Sequence, residues 1–159
     1  MKYIDITTAD VNNGPGCRVT LWIPGCMHNC KGCHNEWAQN YSVGEKFIED
    51  TYKYLIEKLS KPYITGLTIS GGDPLYQDVD VLEHLYNIIC DIRRDLPEKT
   101  IWLYTGFYYE NLNATQKQIA DLCDVIVDGP FIEEQKDLTL PFRGSKNQRI
   151  IYIKDKLSE

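Results

Sequence analysis

Three cysteines crowd into eight residues of this chain, in the run Cys26-Met-His-Asn-Cys30-Lys-Gly-Cys33-His-Asn. Thiolates are soft donors, and three on one short loop can converge on one metal centre. Several chemistries compete for such a loop. A structural zinc needs four ligands, with a second Cys or His pair at some distance. No second Cys-x-x-Cys occurs, and a fourth ligand from His28 or His34 would be cramped inside the same loop. A simple electron-carrier cluster is held by four cysteines. A disulfide network is disfavoured in a reducing compartment. A catalytic thiol needs one activated cysteine and a base, not three in a row. The last reading is a four-iron cluster held by Cys26, Cys30 and Cys33 alone. One iron then keeps an open position for a ligand, as catalytic metal sites do.

The other cysteines are badly placed to complete a set of four. Cys17 begins a strand whose far end carries the loop, about 20 Å away at ~3.3 Å per residue. Cys90 falls inside a predicted helix, and Cys123 ends another on the opposite rim. All three read as small buried hydrophobes.

A second segment with chemical potential is Ser70-Gly71-Gly72-Asp73-Pro74-Leu75. Gly-Gly pairs commonly make plain turns. They also let a backbone approach a ligand with no Cβ in the way. Carbonyls there, together with Asp73, are candidates to accept hydrogen bonds from an ammonium group.

These segments need a scaffold, and the pattern supplies one. Arg18 to Ile23 reads as a strand stopped by Pro24-Gly25. Ile48, Tyr52, Leu55, Ile56 and Leu59 recur at helical spacing before Pro62. Gly66 to Ser70 is a second strand. Leu82, Leu85, Ile89 and Ile92 mark a helix ending before Pro97. Thr100 to Tyr104 is a third strand. Asn113 or Thr115 caps a short helix carrying Ile119 and Leu122. Val125 to Val127 and Arg149 to Ile153 are the last strands, separated by a long loop from Gly129 to Asn147.

Alternating strands and helices imply a parallel sheet wrapped by helices. A full eight-fold barrel takes about 250 residues, so 159 residues predict one α/β domain over 1–159. The expected fold is a partial, open β/α barrel with a mainly parallel, curved sheet. In such folds chemistry sits at the carboxyl ends of the strands. The cysteine loop, Gly71-Gly72-Asp73, Thr105-Gly106 and Asp128-Gly129 all follow strands, so all fall on one face.

Composition narrows the partners. Seventeen basic against 23 acidic residues give a net charge of −6. That balance argues against a general nucleic-acid binder and against docking on anionic lipid. No apolar signal core follows Met1, and the most apolar stretch, Ile101 to Tyr109, is far short of the roughly 20 residues of a membrane span. A cytoplasmic setting is the expectation. Trp22, Trp37 and Trp102 read as packing residues. So do most of the eleven tyrosines, although Tyr104, Tyr108 and Tyr109 are candidates for a partner surface.

The spacing Cys-x3-Cys-x2-Cys, placed after the first strand and joined to a Gly-Gly-acidic segment, resembles the radical S-adenosylmethionine superfamily. Asn13-Gly14-Pro15-Gly16 is similar to an element of its glycyl-radical enzyme activases. Ile101-Trp102 with Thr105-Gly106, Val127-Asp128-Gly129 and Arg143-Gly144-Ser145-Lys146-Asn147-Gln148 resemble the activases of anaerobic ribonucleoside-triphosphate reductases, over about Ile4 to Ile150. The resemblance implies a [4Fe-4S] cluster on Cys26, Cys30 and Cys33. It implies S-adenosylmethionine bordered by Gly32, Cys33 and His34 and by Gly71, Gly72 and Asp73. It implies an oxidoreductase that cleaves S-adenosylmethionine reductively. The resulting 5′-deoxyadenosyl radical takes hydrogen from a glycine of the reductase's large subunit.

With no second cysteine cluster, the electron is expected from an external reductant. Many superfamily members carry an aromatic residue where Gly32 stands, to pack against adenine, and His34 is the ring left to replace it. The acidic residue that the pyruvate formate-lyase activase places after its third strand is replaced here by Tyr104-Thr105-Gly106, so a metal-ion site there is not expected. The competing readings are a small radical enzyme acting on a heterocyclic metabolite and a non-catalytic electron-carrier module. Turnover without a partner protein would mark the first, and failure to cleave S-adenosylmethionine the second.

Overall fold

A computed structural model describes residues 1–158. Strand β1 (Lys2–Tyr3) pairs antiparallel with β4 (Glu45–Lys46) in a small separate ribbon. The main sheet has six strands in the order β2-β3-β5-β6-β7-β8. These are β2 (Asp5–Asp10), β3 (Arg18–Ile23), β5 (Gly66–Gly71), β6 (Thr100–Tyr104), β7 (Val125–Asp128) and β8 (Arg149–Tyr152). The four central strands, β3, β5, β6 and β7, run parallel. The edges β2 and β8 run antiparallel to their neighbours.

Helices α1 (Glu49–Leu59), α2 (Val79–Asp95) and α3 (Ala114–Leu122) connect the parallel strands, and α4 (Ile153–Leu157) follows β8. The result is a mixed α/β architecture with a mainly parallel central sheet. The expected parallel strands and their helices are all present. The fifth strand is antiparallel for a simple reason: the 129–148 connection contains no crossover helix, only a short 3-10 turn at Glu133–Gln135, so the chain returns beside β7 in the opposite sense. The bracing strand β2 and the β1–β4 ribbon carry no strong apolar alternation and were not expected.

Side chains alternate across each strand, and here the two sheet faces differ in kind. Val19, Leu21 and Ile23 of β3 join Leu67 and Ile69 of β5, Ile101 and Leu103 of β6 and Ile126 of β7 in one apolar cluster. The inward helix residues complete it, including Leu55 and Leu59 of α1, Leu85, Ile89 and Ile92 of α2, and Ile119 of α3. Each fully buried aliphatic chain contributes about 1.5–3 kcal/mol. Two capping residues fix where the helices start. Asp78 accepts from the Val81 amide at 3.0 Å, and Asn113 forms a reciprocal capping box with Gln116.

The opposite face is polar at its centre. Thr20, Thr68 and Ser70 are buried there without belonging to the apolar core. Arg18 is fully buried and stitches three strands together. Its Nε donates to Thr68 Oγ1 at 2.9 Å, Nη1 to Thr100 Oγ1 at 3.0 Å, and Nη2 to Leu67 O at 2.8 Å and Thr100 O at 3.0 Å. Burial pulls its pKa down to about 10, against the pull of Asp124, Tyr104 and Asp10, so it stays charged at neutral pH. A polar sheet face is what a helix layer leaves free for chemistry. Of the three tryptophans, Trp102 is buried, Trp22 is half-buried with Nε1 donating to Thr7 Oγ1 at 2.8 Å, and Trp37 is exposed against Trp22. Trp37 thus packs at the surface, within the expectation that all three are packing residues.

Candidate functional site

Parallel register brings the carboxyl ends of the strands level. Ile23 lies opposite Gly71, Ile69 opposite Leu103, and Tyr104 opposite Val127. The segments that follow these ends share one cavity of about 580 Å3, which takes in Cys26, Cys30 and Cys33, Gly71 to Asp73, Thr105 and Gly106, and Gly129. A hollow of about 730 Å3, bordered by Met1, Phe47 and Tyr76, contains none of the cysteines. The expected convergence on one face of the sheet is therefore what the structure shows.

The cysteine loop is shaped by its backbone. Asn29 and Gly32 adopt positive φ angles of 53° and 74°, immediately before Cys30 and Cys33. Asn and Gly tolerate this left-handed conformation best. Each reversal curls the chain, which keeps the successive thiols on the cavity side. The root of the loop is tied down: Gly25 N donates to Ala38 O at 2.7 Å and Cys26 N to Gln39 O at 3.1 Å.

Burial pushes the Cys26 thiol up to about 12, with Asp73, Cys30 and Cys33 adding to it. Burial likewise raises Cys30, with Cys33 contributing. Thiols held this way keep their protons at neutral pH, and a metal must displace those protons to bind.

Among the described residues, no three His, Cys, Asp or Glu side chains converge on a point as one metal ion requires. A single zinc draws its thiolates to about 2.3 Å from one centre. A multi-iron cluster takes each thiolate on a separate iron and spreads the donors around a shared volume. Three thiols spread around one cavity fit the second donor set.

Asp73 is only 1% exposed. Its Oδ2 lies 2.6 Å from His28 Nε2 and accepts from Thr105 Oγ1 at 3.0 Å and Gly106 N at 2.8 Å. Its Oδ1 accepts from Leu75 N at 2.9 Å. Of the two oxygens, Oδ2 is fully engaged by three donors, while Oδ1 accepts one of the two bonds open to it. Asp73 therefore ties the cysteine loop, through His28, to the ends of β5 and β6. His28 is held by that bond and wedged between Tyr76 and Phe107 at 4.8 and 4.6 Å.

The glycines beside Asp73 serve packing. A Cβ on Gly71 would strike the backbone of Ile23, and one on Gly72 the carbonyls of Gly25 and Ala38. The Gly71 carbonyl already accepts from Asn35 Nδ2 at 3.1 Å. The reason for two glycines is thus close approach of backbone to backbone.

Two features rest on contacts that the local sequence does not show. Phe131 lies beside Gly32 and meets the His34 ring edge-on at 4.9 Å. An aromatic pair thereby stands where Gly32 itself offers none. Second, the Arg-Gly-Ser-Lys-Asn-Gln segment is a folded latch. Gln148 Oε1 accepts from Gly144 N at 2.8 Å and Ser145 N at 3.1 Å, while its Nε2 donates to Gly129 O at 3.1 Å. Asn147 Nδ2 donates to Pro130 O at 2.7 Å and to the Tyr108 hydroxyl at 3.1 Å. These bonds fold residues 129–148 back over the end of β7. They also give Tyr108 a structural partner, as do the bonds of Tyr104 to Phe142 O and of Tyr109 to Asp121.

Cys17, Cys90 and Cys123 lie away from this cavity. Cys123 is buried, and burial pushes its thiol up to about 12. Cys90→Ala and Cys123→Ala are therefore expected to leave the visible absorbance and iron content of the reconstituted protein unchanged. Iron lost from either variant would contradict the placement of the cluster at the strand ends.

A family model described as a 4Fe-4S single cluster domain matches residues 12–151, which makes this an iron–sulfur protein of the single-cluster class. The anaerobic ribonucleoside-triphosphate reductase-activating protein of Enterobacteria phage T4 is 42% identical over 150 residues, covering 94% of this chain and 93% of its own length. Its namesake from Escherichia coli K12 is 39% identical over 158 residues, 97% of this chain and all of its own. That of Haemophilus influenzae is 40% identical over 152 residues, 94% and 97% of the two chains. The chain belongs to the family of anaerobic ribonucleoside-triphosphate reductase-activating proteins.

Proposed function

We propose that this chain activates an anaerobic ribonucleoside-triphosphate reductase by radical S-adenosylmethionine chemistry. The observation that carries this is the meeting of Cys26, Cys30 and Cys33 with the Ser-Gly-Gly-Asp segment on one cavity, in a family whose members bear that name. Cys26, Cys30 and Cys33 are the ligands of a [4Fe-4S] cluster, and among the described residues no fourth cysteine lines the cavity to close its last iron. Gly32, Cys33 and His34 border S-adenosylmethionine on one side, and Gly71, Gly72 and Asp73 on the other. The chemistry supplied at such a site is one-electron cleavage of S-adenosylmethionine to methionine and a 5′-deoxyadenosyl radical, which takes hydrogen from a glycine of the reductase.

The protein's own part is placement. Asp73 and His28 lock the cysteine loop to the strand ends. The aromatic pair Phe131 and His34 offers a flat apolar face for a base. The polar sheet face, read as that of an open partial barrel in one domain, suits a peptide loop, whereas a small-molecule enzyme gains from a closed pocket. An external one-electron reductant supplies the electron, in a cytoplasmic setting that spares the thiols.

The test is anaerobic reconstitution with iron and sulfide, followed by reductant, S-adenosylmethionine and the reductase. Electron paramagnetic resonance is expected to show a glycyl radical only when the reductase is present, with 5′-deoxyadenosine formed alongside. Uncleaved S-adenosylmethionine in a protein that has kept its cluster would overturn the proposal.

A further inference from the structure

The cysteine loop has a second side, away from the strand-end cavity. That side borders the hollow of about 730 Å3. The two openings share no lining residue. Pro24 and Met27 line the hollow, while Cys26, between them in the chain, lines the cavity. The wall is closed by two tyrosines that also line the hollow. The Tyr41 ring lies over Gly25, where any Cβ would strike it. Its hydroxyl donates to Tyr76 O at 2.7 Å, and the Tyr76 ring packs edge-on against His28 at 4.8 Å. Met27, Tyr41 and Tyr76 thus face the hollow and at the same time touch, or adjoin in the chain, Gly25, Cys26 and His28.

The charge of this hollow runs against that of the chain, whose net charge is −6. Lys2 and Lys46 line it against a single acid, Asp78, whose Oδ1 is spent on the Val81 amide. Glu45, Glu49 and Asp50, close by in the chain, do not line it. The two lysines stand directly opposite each other on β1 and β4. Residues so placed share a face, and like charges there are destabilising. Lys2 Nζ donates to Ser42 O at 3.0 Å, and among the described residues neither lysine forms an ion pair. A ribbon of two residues per strand gives up stability in this way with no return inside the fold, the kind of local conflict that marks a functional surface. Met27 and Ile48, 63% and 55% exposed, add apolar area beside the charges.

We infer that this hollow is the docking surface of the external reductant, a small acidic protein that carries one electron. The inference rests on the proposed function. There the cavity is occupied by the nucleotide and by the glycine of the reductase, so the electron must arrive while that side of the loop is covered. Electron transfer weakens steeply with distance, and the hollow is a second approach to the same loop. Lys2 and Lys46 meet carboxylates of the carrier and steer it, and Met27 and Ile48 supply the contact of a small, transient interface. One electron passes from the reduced carrier to the [4Fe-4S] centre. The carrier is oxidised by that one electron, and no bond or proton is exchanged.

The test gives the reconstituted protein two sources of electrons. Dithionite is a small ion that needs no docking surface. Photoreduced plant-type ferredoxin is a small acidic one-electron carrier. Lys46→Glu reverses charge on the surface and also gives Lys2 an opposite charge across the ribbon. Its denaturation midpoint should therefore hold or rise, which separates lost docking from lost fold. A Lys2→Gln, Lys46→Gln double variant removes both charges. In Lys46→Glu, ferredoxin-driven cleavage of S-adenosylmethionine is expected to fall about 10-fold or more at low salt, the scale of electrostatic steering. The gap should close as salt is raised. The double variant should fall in the same direction, and dithionite-driven cleavage should stay within about twofold of wild type in both. Carbodiimide joins an amine to a carboxylate in contact with it, and should link ferredoxin to Lys2 or Lys46 even in protein without iron. Equal losses with the two reductants would show a structural role and overturn the inference. So would cross-links confined to other lysines, or a wild type that accepts electrons from dithionite and none from ferredoxin. Glycyl-radical formation lost under dithionite, with nucleotide cleavage kept, would assign the hollow to the reductase and overturn it too. A wild type that keeps its cluster and cleaves nothing with dithionite would overturn the proposed function itself.

Discussion

Cys26→Ala is expected to lose the intact cluster and all formation of 5′-deoxyadenosine. Of the three thiols, Cys26 lies at the fixed end of the loop. Its amide is held by Gln39 O, and the preceding Gly25 by Ala38 O. Burial is the largest effect pushing this thiol up to about 12, and a metal ion must displace its proton to bind. With Cys26 gone, only two of the three proposed cysteine ligands remain for the cluster. The core is untouched, since Cys26 takes no part in the apolar cluster between sheet and helices. Circular dichroism should therefore be native while iron and sulfide analysis and visible absorbance fall to background. Chromatography of the reaction mixture should show no cleavage of S-adenosylmethionine. Cleavage retained by this variant would refute the ligand assignment.

What the sequence revealed and what it concealed divide along one physical line. Local patterns were readable. The cysteine spacing, the alternation in Arg18 to Ile23, and the helical recurrence of Leu82, Leu85, Ile89 and Ile92 each depend on neighbours a few residues away. The strand-end rule then placed the cysteines and the Gly-Gly segment together without further information. Contacts made across the sheet were not readable. Nothing near Phe131 announces that it will stand beside Gly32, about 100 residues earlier in the chain. Nothing near Asp73 shows that His28, Thr105 and Gly106 will converge on its Oδ2. The antiparallel return of β8 and the added edge β2 were hidden for a related reason: edge strands need only weak apolar alternation, and a strand's direction is set by its connection. The Arg-Gly-Ser-Lys-Asn-Gln motif was visible as a string, yet its meaning lies in Gln148 reaching Gly129 O and Asn147 reaching Pro130 O.

Gly72→Val follows from the same distinction, and the structure changes what it should do. Read from sequence, the glycine keeps a Cβ away from a ligand, so valine should weaken S-adenosylmethionine and spare the cluster. In the folded protein, a Cβ at residue 72 is driven into the carbonyls of Gly25 and Ala38, the second at 2.6 Å. Those carbonyls are the root of the cysteine loop. Gly25 O accepts from Asp73 N at 2.8 Å, and Ala38 O from Gly25 N at 2.7 Å. Backbone cannot swing aside as a flexible side chain does, so the root itself must shift. Overpacking of this kind costs about 1–3 kcal/mol. Gly72→Val is therefore expected to lower the midpoint of chemical denaturation and to reduce iron incorporation, with weaker S-adenosylmethionine binding as a consequence. Gly72→Ala separates the two causes. The offending atom is the Cβ, which alanine shares, so alanine should do most of the damage that valine does. Exclusion of a ligand would instead scale with side-chain size, sparing alanine and leaving the iron content of both variants at the wild-type level. An alanine variant with full iron, an unshifted denaturation midpoint and normal nucleotide affinity would mean that the loop root yields, and that the clash with Gly25 and Ala38 does not govern this position.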